Sequence, residues 1–277
     1  PILRTDYRVF DFVVDGLELT FALFDSHTIV TARTRLRRNP LSQRRDAHLH
    51  LYGEELDLLD ISVDGNPVPA ERLVRDDKGM TILAPPETFE LLLVTKIFPD
   101  RNTSLEGLYR SRGNFCTQCE AEGFRKITYY PDRPDVMTIF TTRIEADRDS
   151  CPVLLANGNL VDSGPLADGR HFAVWHDPFP KPCYLFALVA GSLVPLEDTF
   201  VTRSGRKVDL RIYVEERNQG KCGHAMDSLK KAMRWDEEVY GLEYDLDTFM
   251  IVAVEDFNMG AMENRSEEHT SELQSRQ

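Results

Sequence analysis

The run Leu17-Glu18-Leu19-Thr20-Phe21-Ala22-Leu23 alternates large apolar side chains with polar or small ones, Asp25-Ser26-His27 interrupts it, and Val30, Ala32, Thr34 and Leu36 take the alternation up again. A period of two over this length fits a strand with one buried face, and a short polar break between two such runs predicts a hairpin. The theme repeats at Leu58 to Val63 before Asp64-Gly65-Asn66, at Met80 to Leu83 before Pro85-Pro86, and at Phe89 to Phe98. It continues at Val136 to Ala146, Val153 to Leu155, His171 to Trp175 and Tyr184 to Val189. Many short strands punctuated by Gly, Pro and Asp, with no long helical period between them, predict an antiparallel β-sandwich rather than an alternating α/β sheet.

Near Pro195 the texture changes. Asp198 to Thr202 and Val208 to Val214 flank Arg203-Ser204-Gly205-Arg206 as a second kind of hairpin. Met226, Leu229 and Met233 then fall three and four apart in a charged stretch ending at Gly241, the pattern of one amphipathic helix. Phe249 to Val254 is nearly all apolar and of strand length, which predicts a buried strand. A strand pair, a helix and a buried strand are the opening of an α+β domain. The expected division is residues 1–195, 196–264 and a tail of 265–277, which has one large apolar side chain, Leu273, and no periodicity.

Composition removes several functions. The chain has 277 residues; 33 Lys and Arg against 46 Asp and Glu give a net charge of −13, which repels phosphate backbones, so no nucleic acid partner is expected. The longest apolar run, Cys183 to Ala190, is far shorter than the roughly 18 residues of a membrane-spanning helix. Five scattered cysteines do not form a secreted disulfide framework, and a reducing, cytoplasmic setting is expected. The chain opens at Pro1 without a signal pattern, so its native start is expected to be missing.

Three places could carry chemistry. Cys116-Thr117-Gln118-Cys119 has the spacing of a zinc or dithiol pair, but no second C-x-x-C or His-x-x-x-His accompanies it and no βαβ pattern surrounds it, so an inert structural role is expected. His48 and His50 lie two apart on a predicted strand and share a face, which by itself makes no metal site. The third place is Val254 to Asn264. If extended, it sets Met259, Ala261 and Glu263 on one face and Gly260, Met262 and Asn264 on the other, placing a carboxylate beside a soft apolar wall. An ordinary edge strand with its Glu in water has the same pattern.

Gly260-Ala261-Met262-Glu263-Asn264 is the exopeptidase motif of the gluzincin zinc aminopeptidases, the aminopeptidase N family, which this sequence resembles from about Tyr7 to Asn264. Cys116 to Arg125, Tyr129-Tyr130-Pro131-Asp132-Arg133-Pro134-Asp135-Val136 and Asp177 to Phe186 are similar to its bacterial members, in order and with matching spacing. The resemblance implies a saddle-like amino-terminal β-sandwich followed by the truncated start of a thermolysin-like catalytic domain. It implies removal of amino-terminal residues from peptides by a zinc-activated water, with peptides bearing a free amino terminus as partners; a monomer is expected.

By position, Glu120 and Glu263 match the carboxylates that hold the substrate's α-ammonium. Gly260 and Ala261, with Met262 and Asn264 in the same motif, match the stretch that pairs with extended substrate. Gln118 and Met259 match positions lining the pocket for the first side chain, where methionine tolerates several residue types. The family's His-Glu-x-x-His and later Glu, which hold the zinc and activate its water, occur nowhere in the sequence, so no metal ligand or catalytic residue is expected here and the chain alone is expected to be inactive.

The string Arg265-Ser266-Glu267-Glu268-His269-Thr270-Ser271-Glu272-Leu273-Gln274-Ser275 resembles a translated sequencing-library adapter, so the tail is expected to be non-native. A non-catalytic module that binds peptide termini, and a redox or metal module built on Cys116 and Cys119, are the other readings of these residues.

Overall fold

A computed structural model of the chain describes residues 7–257 and 260–264. The chain runs through β1 (Phe12–Leu23), β2 (Thr28–Arg38), β3 (Leu49–Tyr52), β4 (Asp57–Val63), β5 (Asn66–Pro67), β6 (Leu73–Asp76), β7 (Gly79–Ile82) and β8 (Thr88–Ile97). There follow β9 (Gly107–Ser111), β10 (Asn114–Gln118), β11 (Met137–Asp147), β12 (Val153–Ala156), β13 (Asn159–Pro165), β14 (Arg170–Pro182) and β15 (Leu188–Gly191). The last part is β16 (Val194–Val201), β17 (Lys207–Val214), helix α1 (Gly223–Val239) and β18 (Thr248–Val252). The fold is thus mainly β, followed by a short α+β segment.

The alternation that opens the sequence does what elementary sterics require of it. Leu17, Leu19, Phe21 and Leu23 of β1 and Val30, Ala32, Thr34 and Leu36 of β2 are all buried, and the two strands pair antiparallel as a hairpin. Asp64 and Gly65, with φ of 50° and 76°, make the tight turn between β4 and β5. The large sheet has the order β13-β14-β11-β1-β2-β8-β4-β5. Its inner face shares one hydrophobic cluster with two smaller sheets, β12-β15-β10-β9 and β3-β7-β6. Its outer face carries cross-strand ion pairs, among them Arg33–Glu90 at 3.1 Å, Arg35–Glu18 at 3.2 Å and Arg37–Asp15 at 3.0 Å.

Three local expectations differ from the structure. The large sheet is not wholly antiparallel: β1 pairs parallel with β11, Leu17 opposite Phe140, which seats two hairpin systems side by side in one sheet. The apolar run Tyr184 to Val189 is not a strand throughout. It begins as a 3-10 turn at Cys183–Leu185, and pairing starts only at Leu188. Its hydrophobicity serves Phe186, which is fully buried and packs against Phe21, Phe124 and Phe140 with ring centroids 5.8, 5.4 and 5.8 Å away. Finally, β18 is half-buried along its whole length, because it pairs with β17 alone, in parallel, at the edge of the sheet β16-β17-β18.

Met226, Leu229 and Met233 form the buried stripe of α1 and pack on Phe200, Val208, Leu210 and Ile212 in a second hydrophobic cluster. The two clusters adjoin. Tyr213 of β17 is buried in the first, and Met250 and Val252 of β18 pack against it.

Candidate functional site

The segment that leaves β18 is fastened at Asp256 and Asn264, on either side of positions 258 and 259, to different places on the small sheet β12-β15-β10-β9. At its near end the Asp256 amide donates to Ser111 Oγ at 3.2 Å, Ser111 Oγ donates to Asp256 Oδ2 at 3.0 Å, and the Tyr109 hydroxyl donates to the Asp256 carbonyl at 3.1 Å. Just before it, Glu255 pairs with Arg112 at 2.8 Å and with Arg217. At its far end Asn264 Nδ2 donates to the carbonyls of Leu185 and Phe186 at 3.3 and 3.4 Å, and Asn157 Nδ2 donates to the Asn264 carbonyl at 3.0 Å.

Tyr109 and Ser111 lie in β9, Leu185 to Ala187 lead into β15, and β10 lies between those two strands. Strands are spaced about 4.8 Å apart, so two spacings come to roughly 10 Å, and eight residues reach at most about 27 Å. The segment is therefore long enough to cross β10 obliquely.

Beside the first of these attachment points lie residues the sequence singled out. In β10, Cys116 stands opposite Tyr109 and Gln118 opposite Gly107, so the period of two puts Tyr109, Ser111, Cys116 and Gln118 on one face of the sheet, the face on which Asp256 docks. Burial and then the charge of Asp256 push the Cys116 thiol up to about 12. Gln118 is fully buried, and its Nε2 donates to the carbonyl of half-buried Glu120 at 3.3 Å.

Glu120 is placed by a closed turn. The Gly123 amide donates to the Cys119 carbonyl at 2.8 Å, and a Cβ on Gly123 would stand 2.5 Å from the Gln118 carbonyl, so only glycine fits. The turn is tied down from behind by buried Asp132, which accepts from the Arg125 amide at 3.1 Å, from Arg125 Nε at 3.0 Å and from the Cys183 thiol at 3.0 Å.

Hydrogen bonds also tie the far end of the 256–264 segment to the edge of β10. Asn264 holds the Leu185 and Phe186 carbonyls, Asn157 Oδ1 accepts from the Ala187 amide at 2.7 Å, and the Leu188 amide donates to Thr117 Oγ1 at 2.8 Å, next to Gln118. Asn264, the neighbour of Glu263, and Thr117, three positions before Glu120, are thus tied to the same link of residues 185–188.

The motif itself is not a strand. Gly260 and Ala261 are exposed, Met262, Glu263 and Asn264 are half-buried, and none belongs to a regular strand or helix. Hydrogen bonding to the β-rich part, rather than sheet pairing, sets the path. Met259 lies outside the described residues.

The other candidates have ordinary places. The thiols of Cys116 and Cys119 are both buried, and Cys119 is pushed well above its usual value by burial and then by Asp132, which keeps both protonated and unreactive. His50 Nδ1 is 3.1 Å from Thr81 Oγ1, and His48 Nδ1 accepts from the Ala84 amide at 3.1 Å. Among the described residues no group of three His, Cys, Asp or Glu could hold a metal ion, so the residues present do not fit a zinc site. Among the described residues, no helix is long and apolar enough to cross a membrane. Sequence reasoning missed Asn157 and Asp256. The Asn157-Gly158 pair signalled a turn, but nothing local pointed to its partners.

Comparison with known proteins places the chain in a family. Residues 19–185 match the model of the peptidase M1 N-terminal domain, and residues 224–272 match that of the peptidase family M1 domain. The chain is 53% identical over 260 residues to aminopeptidase N of Caulobacter vibrioides and 52% identical over 262 residues to aminopeptidase N of Escherichia coli, covering 94% and 95% of this chain. It spans 30% of the length of each of those relatives. Among solved structures, Legionella pneumophila aminopeptidase A in complex with aspartic acid superposes with a TM-score of 0.89 at 33% identity, over 94% of this chain and 31% of that one. With the first of these models alone matching more than half of its residues, the chain belongs to the peptidase M1 family.

Proposed function

We propose that this chain is the substrate-anchoring part of a zinc-dependent aminopeptidase, whose parent protein removes amino-terminal residues from peptides through a metal-activated water. In this reading Glu120 and Glu263 hold the free α-ammonium, Gly260 and Ala261 pair with the substrate backbone, and Gln118 and Met259 line the pocket for its first side chain. The observation that supports it is the strap of residues 256–264, whose two ends are fastened on either side of β10, the strand that bears Gln118 and leads to Glu120. Each charge-assisted hydrogen bond to an ammonium contributes roughly 1.5–3 kcal/mol, and a blocked amino terminus would leave two carboxylates without that partner. The zinc ligands belong to the parent protein, and the division near residue 195 separates the β-rich unit from the start of its catalytic unit.

The gene beyond codon 264 is expected to encode His-Glu-x-x-His and a later Glu. The intact product should hydrolyse an aminoacyl anilide, lose activity to a chelator and regain it with zinc, whereas the present chain should show no turnover. E120A/E263A in the intact enzyme should raise KM for free peptides and abolish discrimination against blocked ones. Unchanged kinetics would refute the assigned roles, and a genuine stop after Asn264 would leave a non-catalytic module that binds peptide termini.

A further inference from the structure

Asn157 sits in the turn between β12 and β13, and its side chain makes three hydrogen bonds. Nδ2 donates to the Leu185 carbonyl at 3.2 Å and to the Asn264 carbonyl at 3.0 Å, while Oδ1 accepts from the Ala187 amide at 2.7 Å. The turn is fixed by Gly158, whose φ is +91° and where a Cβ would lie 2.2 Å from the His176 carbonyl. Asn264 returns the contact by donating to the Leu185 and Phe186 carbonyls. Two asparagines 107 positions apart therefore clamp the same three-residue link, and that link is anchored by the buried Phe186 ring.

We propose that Asn157 is a positioning residue for amino-terminus recognition: it fixes the far end of the strap and thereby sets Glu263, the neighbour of Asn264, against Glu120. This inference rests on the roles given to those two carboxylates above. Asn157 acts through the main chain of Asn264 and the 185–187 link. An amide suits the task, because two donors and one acceptor are needed at once; a carboxylate can only accept, and alanine does neither. Because aromatic packing holds Phe186, the partner free to shift when the clamp is lost is the strap.

The test uses the intact enzyme encoded by the full gene, with variants N157A, N157D and E263A. KM and kcat are measured for an alanyl anilide, together with inhibition constants for phenylalaninamide and its des-amino analogue 3-phenylpropanamide. KM and the ratio of the two inhibition constants do not depend on how much of a variant is folded. N157A is expected to raise KM roughly tenfold and to lower the preference for the amine-bearing inhibitor by the same factor, with kcat held within about twofold. N157D keeps the acceptor for the Ala187 amide but loses both donors, and should behave as N157A does. If E263A shifts the inhibitor ratio and the Asn157 variants leave it unchanged, the positioning role is refuted while the carboxylate roles stand. If E263A leaves the ratio unchanged, the carboxylate roles fail and the positioning role fails with them. Asn157 variants that lower only kcat, or that yield no folded enzyme, would make Asn157 a residue of the fold alone and overturn the inference.

Discussion

Replacing Phe186 by alanine tests the coupling between core and strap. The ring is fully buried, stacked on Phe21 with an interplanar angle of 14°, edge-on to Phe124 at 80° and tilted against Phe140 at 34°. Truncating a phenylalanine in such a setting removes its transfer free energy and leaves a cavity, a loss of about 3–5 kcal/mol. For a protein of this size that corresponds to a fall in melting temperature of roughly 6–20 °C. Leucine refills much of the volume and restores most of the buried apolar surface, so F186L should cost clearly less than F186A.

Urea unfolding followed by the emission of Trp175 reads this cluster directly, since that indole is buried in β14 and donates to the Leu154 carbonyl at 3.0 Å. Because the carbonyls of Leu185 and Phe186 hold Asn264, F186A should also speed amide exchange in residues 260–264 more than F186L does. A loss below about 1 kcal/mol for F186A would show that the site collapses around the missing ring. Exchange at 260–264 unaltered by F186A would refute the coupling.

The remaining expectations concern titration and buried charge. All five cysteines are buried, Cys116 is pushed up to about 12 by burial and then by Asp256, and a thiol-specific reagent at pH 8 should therefore label the native chain slowly and the urea-unfolded chain at once; rapid labelling of native Cys116 would contradict the docked strap. Burial raises the Asp135 carboxyl, but hydrogen bonds from Arg133 at 2.8 and 2.7 Å and from the Tyr7 hydroxyl at 3.0 Å outweigh it and hold it below its ordinary value. A depressed carboxylate contributes stability above its unfolded value, near pH 4, and loses it as pH falls through the folded value, so D135N should flatten the acid limb of the stability curve below about pH 4 and little else. Lys181 and Asp177 form a buried ion pair, and K181M should cost about 3–5 kcal/mol while K181M/D177N costs less, as chemical denaturation of both variants would show; equal costs would mean that the remaining carboxylate is not the source of the penalty.

The parts of the fold legible in the sequence are those where one face meets water. β1 and β2 alternate visibly because their outward positions carry Glu18, Arg33, Arg35 and Arg37. β10 is buried on both faces from Asn114 to Gln118, so no alternation marks it, although it bears Gln118 and leads to Glu120. β18 is as apolar as a central strand yet lies at an edge, since composition records what packs against the two faces and not which edge is paired. The site was legible only as a motif. Its assembly depends on contacts such as Ser111 with Asp256 and Asn157 with Asn264, which join residues more than a hundred positions apart and leave no periodic trace.

The parallel seam between β1 and β11 also sets a clock. One long edge of the amino-terminal hairpin has its permanent partner only in a strand that starts at Met137, roughly 110 residues after β1 ends at Leu23. At a synthesis rate of about 5–20 residues per second, that edge stays open for on the order of 10 s on every molecule made. An open strand edge recruits other strands, so the nascent chain passes through an interval in which this hairpin edge is an aggregation hazard. A slower ribosome lengthens that interval without altering the finished fold.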